Sequence, residues 1–224
     1  MQKSKILNII VPYRDRPDHL EYFVPYMNDY LKQEGIEFSI TVVDQDDELL
    51  FNRAKLLNAG FLETNENNDY TAFHDIDMVP KKPNAGYHYT ETARQVFCPT
   101  EYSMGGISIV NNTVNWQVNG WANSYWGWGG EDRNYKHRLA HHGIALEESK
   151  GFRKWAWGKD HFKELSGNHD PERKQHKKKQ AKLTKRFKEF PEKNNFDGLA
   201  NCNYEVTFNV TRDGYNHIGV DLRE

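Results

Sequence analysis

Long apolar runs are missing from this 224-residue chain, and cysteine is nearly so. No stretch of about 18 consecutive apolar residues occurs, so no membrane-spanning helix is expected. Met1 is followed within a few residues by a strand-like segment, so no signal peptide is expected. The two cysteines, Cys98 and Cys202, lack metal-ligand spacing, which excludes a cysteine-built zinc site and predicts reduced thiols, with one disulfide between them as the alternative. Internal repeats are absent, which excludes a solenoid. The net charge of −2 excludes a uniformly basic chain but hides an asymmetry, because Arg173 to Lys188 contains nine Lys or Arg and no acid. Stacking aromatics are not interleaved with these cations, so a solvated helix face is the simpler account and no nucleic-acid partner is expected.

What is present is an alternation of short apolar runs with amphipathic helices. Lys5 to Val11 reads as a buried parallel strand that stops at Pro12. After Tyr13-Arg14-Asp15-Arg16, Pro17 suits a first helical turn, and Leu20, Phe23, Val24, Met27, Tyr30 and Leu31 recur at helical spacing. Phe38 to Val43 predicts a second strand, Phe51 through Phe61 a second helix, and Tyr70 to Ile76 a third strand. This β-α-β-α-β order predicts an α/β domain with an open, mostly parallel sheet, whose ligands gather beyond the carboxyl ends of the strands. Farther on, Gly105 to Val110 predicts a strand, Asn111 to Val118 a short helix, and Glu131 to Gly143 another helix. A basic helix follows, and then two strands, Tyr204 to Val210 and His217 to Leu222, that turn at Asp213-Gly214.

Polar residues collect at the predicted strand ends. Arg14 and Arg16 follow the first, Asp44 the second, and Asp75-Ile76-Asp77 closes the third. One of those last carboxylates is expected to face a ligand while the other braces the turn. Hard oxygen ligands with an open coordination sphere suit Mg²⁺ or Mn²⁺ bridging a diphosphate. Trp126-Gly127-Trp128-Gly129-Gly130-Glu131-Asp132 sets aromatic faces, bare backbone and two adjacent carboxylates within one short stretch. A sugar ring can lie on such tryptophans. The same residues also suit a packed turn, with Glu131 and Asp132 as ordinary acids at a helix N-terminus, and the stretch alone leaves both readings open.

Taken together, Val11 to Arg16, Phe51 to Asn58, Asp75-Ile76-Asp77, Gly105-Gly106 and Trp126 to Asp132 resemble, in shared order, the beta-1,4-galactosyltransferases, glycosyltransferase family seven. The stretch from His169 to Lys174, with the basic helix after it, looks most like the branch that adds galactose to xylose in proteoglycan linkers. The resemblance implies a GT-A fold: a Rossmann-like, mostly parallel central sheet flanked by helices, with a C-terminal acceptor region. It implies one domain over residues 1–224, with a nucleotide-sugar half in 1–80 and a donor-sugar and acceptor half in 81–224. The implied activity is inverting, metal-dependent transfer of galactose or N-acetylgalactosamine from UDP to a sugar hydroxyl, forming a beta-1,4 linkage. A xyloside, an N-acetylglucosaminide or another saccharide would accept it. A non-catalytic carbohydrate-binding module on the same scaffold is the alternative.

By position, the resemblance places Pro12, Tyr13, Arg14, Arg16, Phe51 and Arg53 at the uridine and diphosphate, with Asp75 near the donor's ribose or sugar. Ser103, Gly106 and Trp128 fall at the donor sugar, and Trp126, Gly129 and Gly130 toward the acceptor. Glu131 would hold sugar hydroxyls, Asp132 would be the base, and Asp77 and His169 would bind Mn²⁺, with Mg²⁺ as a substitute. Two departures stand out. Gly167 occupies the first position of the branch's His-x-His, and Ser103 stands where vertebrate members carry a bulky tyrosine, leaving room for the larger donor. Eukaryotic members are usually anchored Golgi proteins. This sequence therefore suggests a cytoplasmic, bacterial or viral, setting, or the Golgi lumen if it is trimmed from a eukaryotic protein.

Overall fold

The isoleucine-rich run after Lys5 forms strand β1 (Ile6–Tyr13), buried at every position but its first. In the computed structural model, which describes residues 4–98, 103–147, 160–165 and 173–223, it leads to helix α1 (Pro17–Gln33). Pro17 opens that helix, where its missing N–H has no intrahelical partner to lose, and Phe23, Val24, Met27 and Leu31 make the buried stripe. Strand β2 (Glu37–Gln45), helix α2 (Arg53–Thr64) and the wholly buried strand β3 (Tyr70–His74) complete the expected β-α-β-α-β unit. Asn52 caps α2, its side chain accepting the Lys55 N–H at 2.9 Å, a contact that stabilises a helix by about 1 kcal/mol.

The later elements are β4 (Met78–Pro80), β5 (Ala93–Phe97), β6 (Ile107–Asn111), α3 (Asn112–Gln117), α4 (Glu131–His141), β7 (Phe162–Glu164), α5 (Arg173–Glu189), β8 (Glu205–Arg212) and β9 (Tyr215–Asp221). Seven strands form one sheet in the order β5-β6-β3-β1-β2-β9-β8, and β4 pairs with β7 separately. Its centre, β3-β1-β2-β9, is parallel, while β6, β5 and β8 join by antiparallel pairing. Leu7, Ile9 and Val11 of β1 face one core with α1, whereas Ile10 faces a second core with Leu56, Leu57 and Phe61 of α2. Helices therefore cover both faces, which is why β1 reads as a continuous apolar run.

Two features depart from the sequence reading. The C-terminal hairpin, read from the sequence only as a strand pair, also joins the central sheet, where β9 runs parallel to β2, with Thr41 opposite Asn216 and Gln45 opposite Val220. Strand β3 also stops at His74, so that Asp75-Ile76-Asp77 forms a turn into β4 and not the end of an extended strand. Among the described residues no helix is long and apolar enough to cross a membrane.

Candidate active site

Parallel register brings Tyr13 of β1 beside Asp44 of β2, and β3 delivers the Asp75 turn along the same sheet edge. Pro12 lies opposite Val43, and the Tyr13 ring is buried edge-on to His217 at 5.9 Å. Arg14 turns into the following loop. Its guanidinium donates to Leu49 O at 2.7 Å, Asp47 O at 3.0 Å and Asp47 Oδ1 at 3.1 Å, and lies 5.9 Å from the Phe51 ring. Arg16 holds the N-cap position of α1, its carbonyl accepting the Leu20 N–H.

The first residue of α2 ties the site together. Arg53 Nε donates to Asp75 Oδ1 at 2.6 Å, Nη1 lies 3.8 Å from Glu131 Oε1, and the guanidinium carbon sits 5.1 Å over the Trp121 ring. The contact with Glu131 is an ion pair too long for a hydrogen bond. Arg53 Nη1 and Nη2 are thus buried donors with no hydrogen-bond partner among the described residues, an arrangement suited to an anionic or hydroxyl-bearing ligand. Burial alone would lower the basicity of Arg53, but the carboxylates of Asp75 and Glu131 hold it above its ordinary value. Burial, then adjacent Asp132, pushes the Glu131 carboxyl up to about 7, with Arg53 opposing.

Asp77 fits a hard cation. Its Oδ1 is buried and accepts no hydrogen bond among the described residues, which is costly for a carboxylate oxygen unless something else satisfies it. Burial, then the neighbouring Asp75, pushes this carboxyl up to about 6, against the pull of Arg16. Among the described residues no group of three His, Cys, Asp or Glu converges as a metal cage. The expected second ligand, His169, lies outside the described residues, as does Gly167.

The Trp126 to Asp132 stretch is both a packed turn and a wall of the same site. The Gly127 N–H donates to Phe51 O at 2.8 Å, which joins the stretch to the start of α2. Gly130 adopts φ +102° as N-cap of α4, and a Cβ there would meet Tyr125 at 2.8 Å and Thr184 Oγ1 at 3.0 Å. Helix α5 docks on it: Gln180 Nε2 donates to Trp126 O, and the His176 ring lies against Gly127. Lys177 Nζ is 6.0 Å from the Trp128 ring, and space is open around Gly129. Glu131 is buried and Asp132 half-buried at the start of α4, whose N-terminal dipole favours both carboxylates. A Cβ added at Gly105 would lie 2.9 Å from Asp132 Oδ2.

Two residues expected at the donor sugar have evident local duties. Gly106 has φ +73°, and a Cβ there would strike the Phe97 carbonyl at 2.4 Å, so glycine is required by the backbone. Ser103 is buried, with Oγ 2.9 Å from Cys98 Sγ. Sequence reasoning missed Trp121, which stacks on Tyr135 at 4.1 Å beneath Arg53, and buried His74, whose ring contacts the Asp75 carbonyl. Trp121 carried no local signal; His74 had only its place beside Asp75.

Two family models match consecutive parts of the chain: the N-terminal region of glycosyl transferase group 7 over residues 2–90, and the N-terminal domain of galactosyltransferase over residues 87–159. The chain belongs to glycosyltransferase family 7. Within the family, mouse beta-1,4-galactosyltransferase 1 is 29% identical over 96% of this chain and 54% of the relative. Mouse beta-1,4-galactosyltransferase 7 is 34% identical over 74% of this chain and 51% of the relative, so the chain spans about half the length of these curated relatives. A mutant Drosophila beta-1,4-galactosyltransferase 7, solved with manganese, UDP-Gal and xylobiose, matches with TM-score 0.83 and 27% identity, covering 98% of this chain and 95% of that one. The mannosyltransferase PcManGT from Pyrobaculum calidifontis, in complex with GDP-Man and Mn²⁺, matches with TM-score 0.52 at 12% identity over 70% of this chain and 60% of that one, and shares the fold alone. The fold is GT-A, as the family 7 resemblance implies.

Proposed function

We propose that the chain is a metal-dependent, inverting beta-1,4-galactosyltransferase that uses a UDP-sugar donor and a saccharide acceptor. The observation that carries this reading is Arg53, which contacts Asp75 on one side and Glu131 on the other and so joins the Asp-x-Asp turn to the Trp-Gly-Glu-Asp stretch. A module that only bound sugar would not need a buried cation between two acidic motifs.

In the reaction, an acceptor hydroxyl oxygen attacks the donor's anomeric carbon on the face opposite UDP, and the bond to the diphosphate oxygen breaks. Asp132 takes the hydroxyl proton, and the buried Glu131 orients sugar hydroxyls. The unpartnered N–H groups of Arg53 meet donor oxygens, beside Pro12, Tyr13, Arg16 and Phe51 at the carboxyl edge of the sheet. Asp77 and His169 would hold Mn²⁺, or Mg²⁺, which when bound offsets the charge developing on the departing diphosphate. Trp128 walls the donor sugar and Trp126, with Gly129 and Gly130, borders the acceptor. Ser103 in place of a bulky side chain leaves room for N-acetylgalactosamine as well as galactose. The half in 1–80 supplies most of the nucleotide site and 81–224 the sugar and acceptor walls. The free thiols of Cys98 and Cys202 fit a reducing compartment, the cytoplasmic setting we assign to it.

Asp132→Asn tests the base. Turnover should fall about 10²–10⁴-fold while Mn²⁺-dependent UDP binding stays within about threefold of the parent; a variant that keeps most of its turnover would remove Asp132 from that role.

A further inference from the structure

Asp75 both pairs with Arg53 and opens the turn that presents Asp77, so whatever fixes its backbone fixes both carboxylates. The Asp75 N–H donates to Gly106 O at 2.9 Å. Among the described residues its carbonyl oxygen receives a long bond from the Met78 N–H, at 3.4 Å, and lies 2.8 Å from His74 Nδ1. A carbonyl has no proton to give, so Nδ1 must carry the imidazole proton and Nε2 is left as an acceptor. The Tyr87 hydroxyl, 2.7 Å from Nε2, is then its donor.

This arrangement has no freedom to rotate. His74 is fully buried, its ring edge-on to Phe23 at 5.0 Å and within 19° of coplanar with Tyr87. Tyr87 is 1% exposed, and its own carbonyl accepts the Tyr70 hydroxyl at 3.1 Å. Its ring packs against Tyr30, whose hydroxyl accepts the Ala85 N–H and donates to Lys82 O, each at 3.1 Å. A buried imidazole so enclosed has no path to a substrate. Its influence can pass only through Asp75.

We propose that His74 is a positioning residue: its Nδ1–H, held in that tautomer by the Tyr87 hydroxyl, grips the Asp75 carbonyl and sets the turn in the one geometry that presents Asp75 to Arg53 and Asp77 to the cation. The proposal rests on the reading of this turn as the metal and donor site. It deepens that reading by assigning the second layer that orients the first.

Two variants separate positioning from mere packing. The amide of H74N takes the place of Nδ1–H, whereas that of H74Q reaches toward Tyr87 and leaves the Asp75 carbonyl without its donor. Calorimetric titration of Mn²⁺ in the presence of UDP should show affinity about tenfold to a hundredfold weaker in H74Q but within about threefold of the parent in H74N. A histidine needed only for packing would lower the melting temperature of both variants and leave the Mn²⁺ affinity of the folded protein unchanged. H74Q binding Mn²⁺ like the parent, or H74N as impaired as H74Q, overturns the proposal. Independently of metal and activity, ¹⁵N spectra of the parent's imidazole should place the proton on Nδ1, and a proton on Nε2 overturns it as well. A parent that bound no Mn²⁺ with UDP would instead sink the functional reading, while the tautomer would still decide whether His74 holds the turn.

Discussion

Gly105 and Asp132 are separated in sequence but touch in the fold, and that contact gives a way to move the proposed base without removing it. Gly105 lies outside the left-handed region, so alanine meets no backbone penalty, yet its Cβ would fall 2.9 Å from Asp132 Oδ2 and 3.5 Å from Asp132 Cβ. The carboxylate must swing away. Gly105→Ala should lower kcat by about tenfold to a hundredfold, as displacements near 1 Å do at reacting centres, with little change in melting temperature. A normal kcat would show that this face of Asp132 is not used. Glu131 offers a pH signature. Burial raises its carboxyl from 4.5 to about 7 in the folded protein, so its contribution to stability is fully present below 4.5 and is lost as pH rises through about 7. Glu131→Gln does not titrate. Relative to that variant, the metal-free parent should lose at most about 3 kcal/mol of stability across this window, measured by denaturant melts at several pH values. Parallel profiles would mean that Glu131 is solvated or fully compensated by Arg53.

Among the elements, α4 is the one on which the site depends. Its buried residues are Glu131, Asn134, Tyr135, Arg138 and Leu139, a helical face that is more polar than apolar. Arg138 is fully buried and takes the role an apolar residue would normally have. It donates to Asn134 Oδ1 at 2.8 Å, Gly120 O at 3.1 Å, Asn119 O at 3.2 Å and Asp197 O, thereby tying α4 to the segment before the tryptophans and to the chain beyond α5. Burial brings its basicity down to about 10, still well protonated at neutral pH. Replacing it with methionine keeps the bulk but strands the carbonyls. Arg138→Met should therefore destabilise by roughly 3–5 kcal/mol, the usual cost of breaking a buried charged network, and lower the thermal midpoint by roughly 10 °C. A loss below about 1 kcal/mol would show that water replaces the guanidinium.

At the scale of the whole molecule, the proposed donor site draws on the first three strands, α2, the turn after β3 and the start of α4. A ligand bridging these parts should stabilise the molecule cooperatively. UDP with Mn²⁺ at about a hundred times its dissociation constant should add about 2.7 kcal/mol, visible as a higher melting temperature, and UDP without metal should add much less. Asp77→Ala should erase the metal-dependent part. An equal shift with and without Mn²⁺ would separate Asp77 from any cation.

Much of this was legible in the sequence because it is local. The β-α-β-α-β order follows from apolar runs and helical stripes that a few residues define, and the two acidic motifs are contiguous stretches whose order along the chain, more than either alone, carries the family resemblance. The docking of α5 was not read from the sequence, where the basic run suggested a solvated helix face, although Gln180, Thr184 and Phe187, which the fold buries, recur at helical spacing among the lysines. The turn at Asp75 was not legible, because a strand's end is set by what its backbone pairs with, here the Gly106 carbonyl and the His74 ring. Nor was the face of α4, where charged and amide side chains are buried because distant carbonyls need donors. The sequence by itself determined the family, the order of its central elements and the acids proposed for the chemistry. Only the tertiary structure decided that Arg53 would meet Asp75 and Glu131 at once, that Trp121 would lie beneath it and that β9 would close the sheet beside β2. Those contacts join residues far apart along the chain, and their geometry is fixed by packing, which no local pattern records.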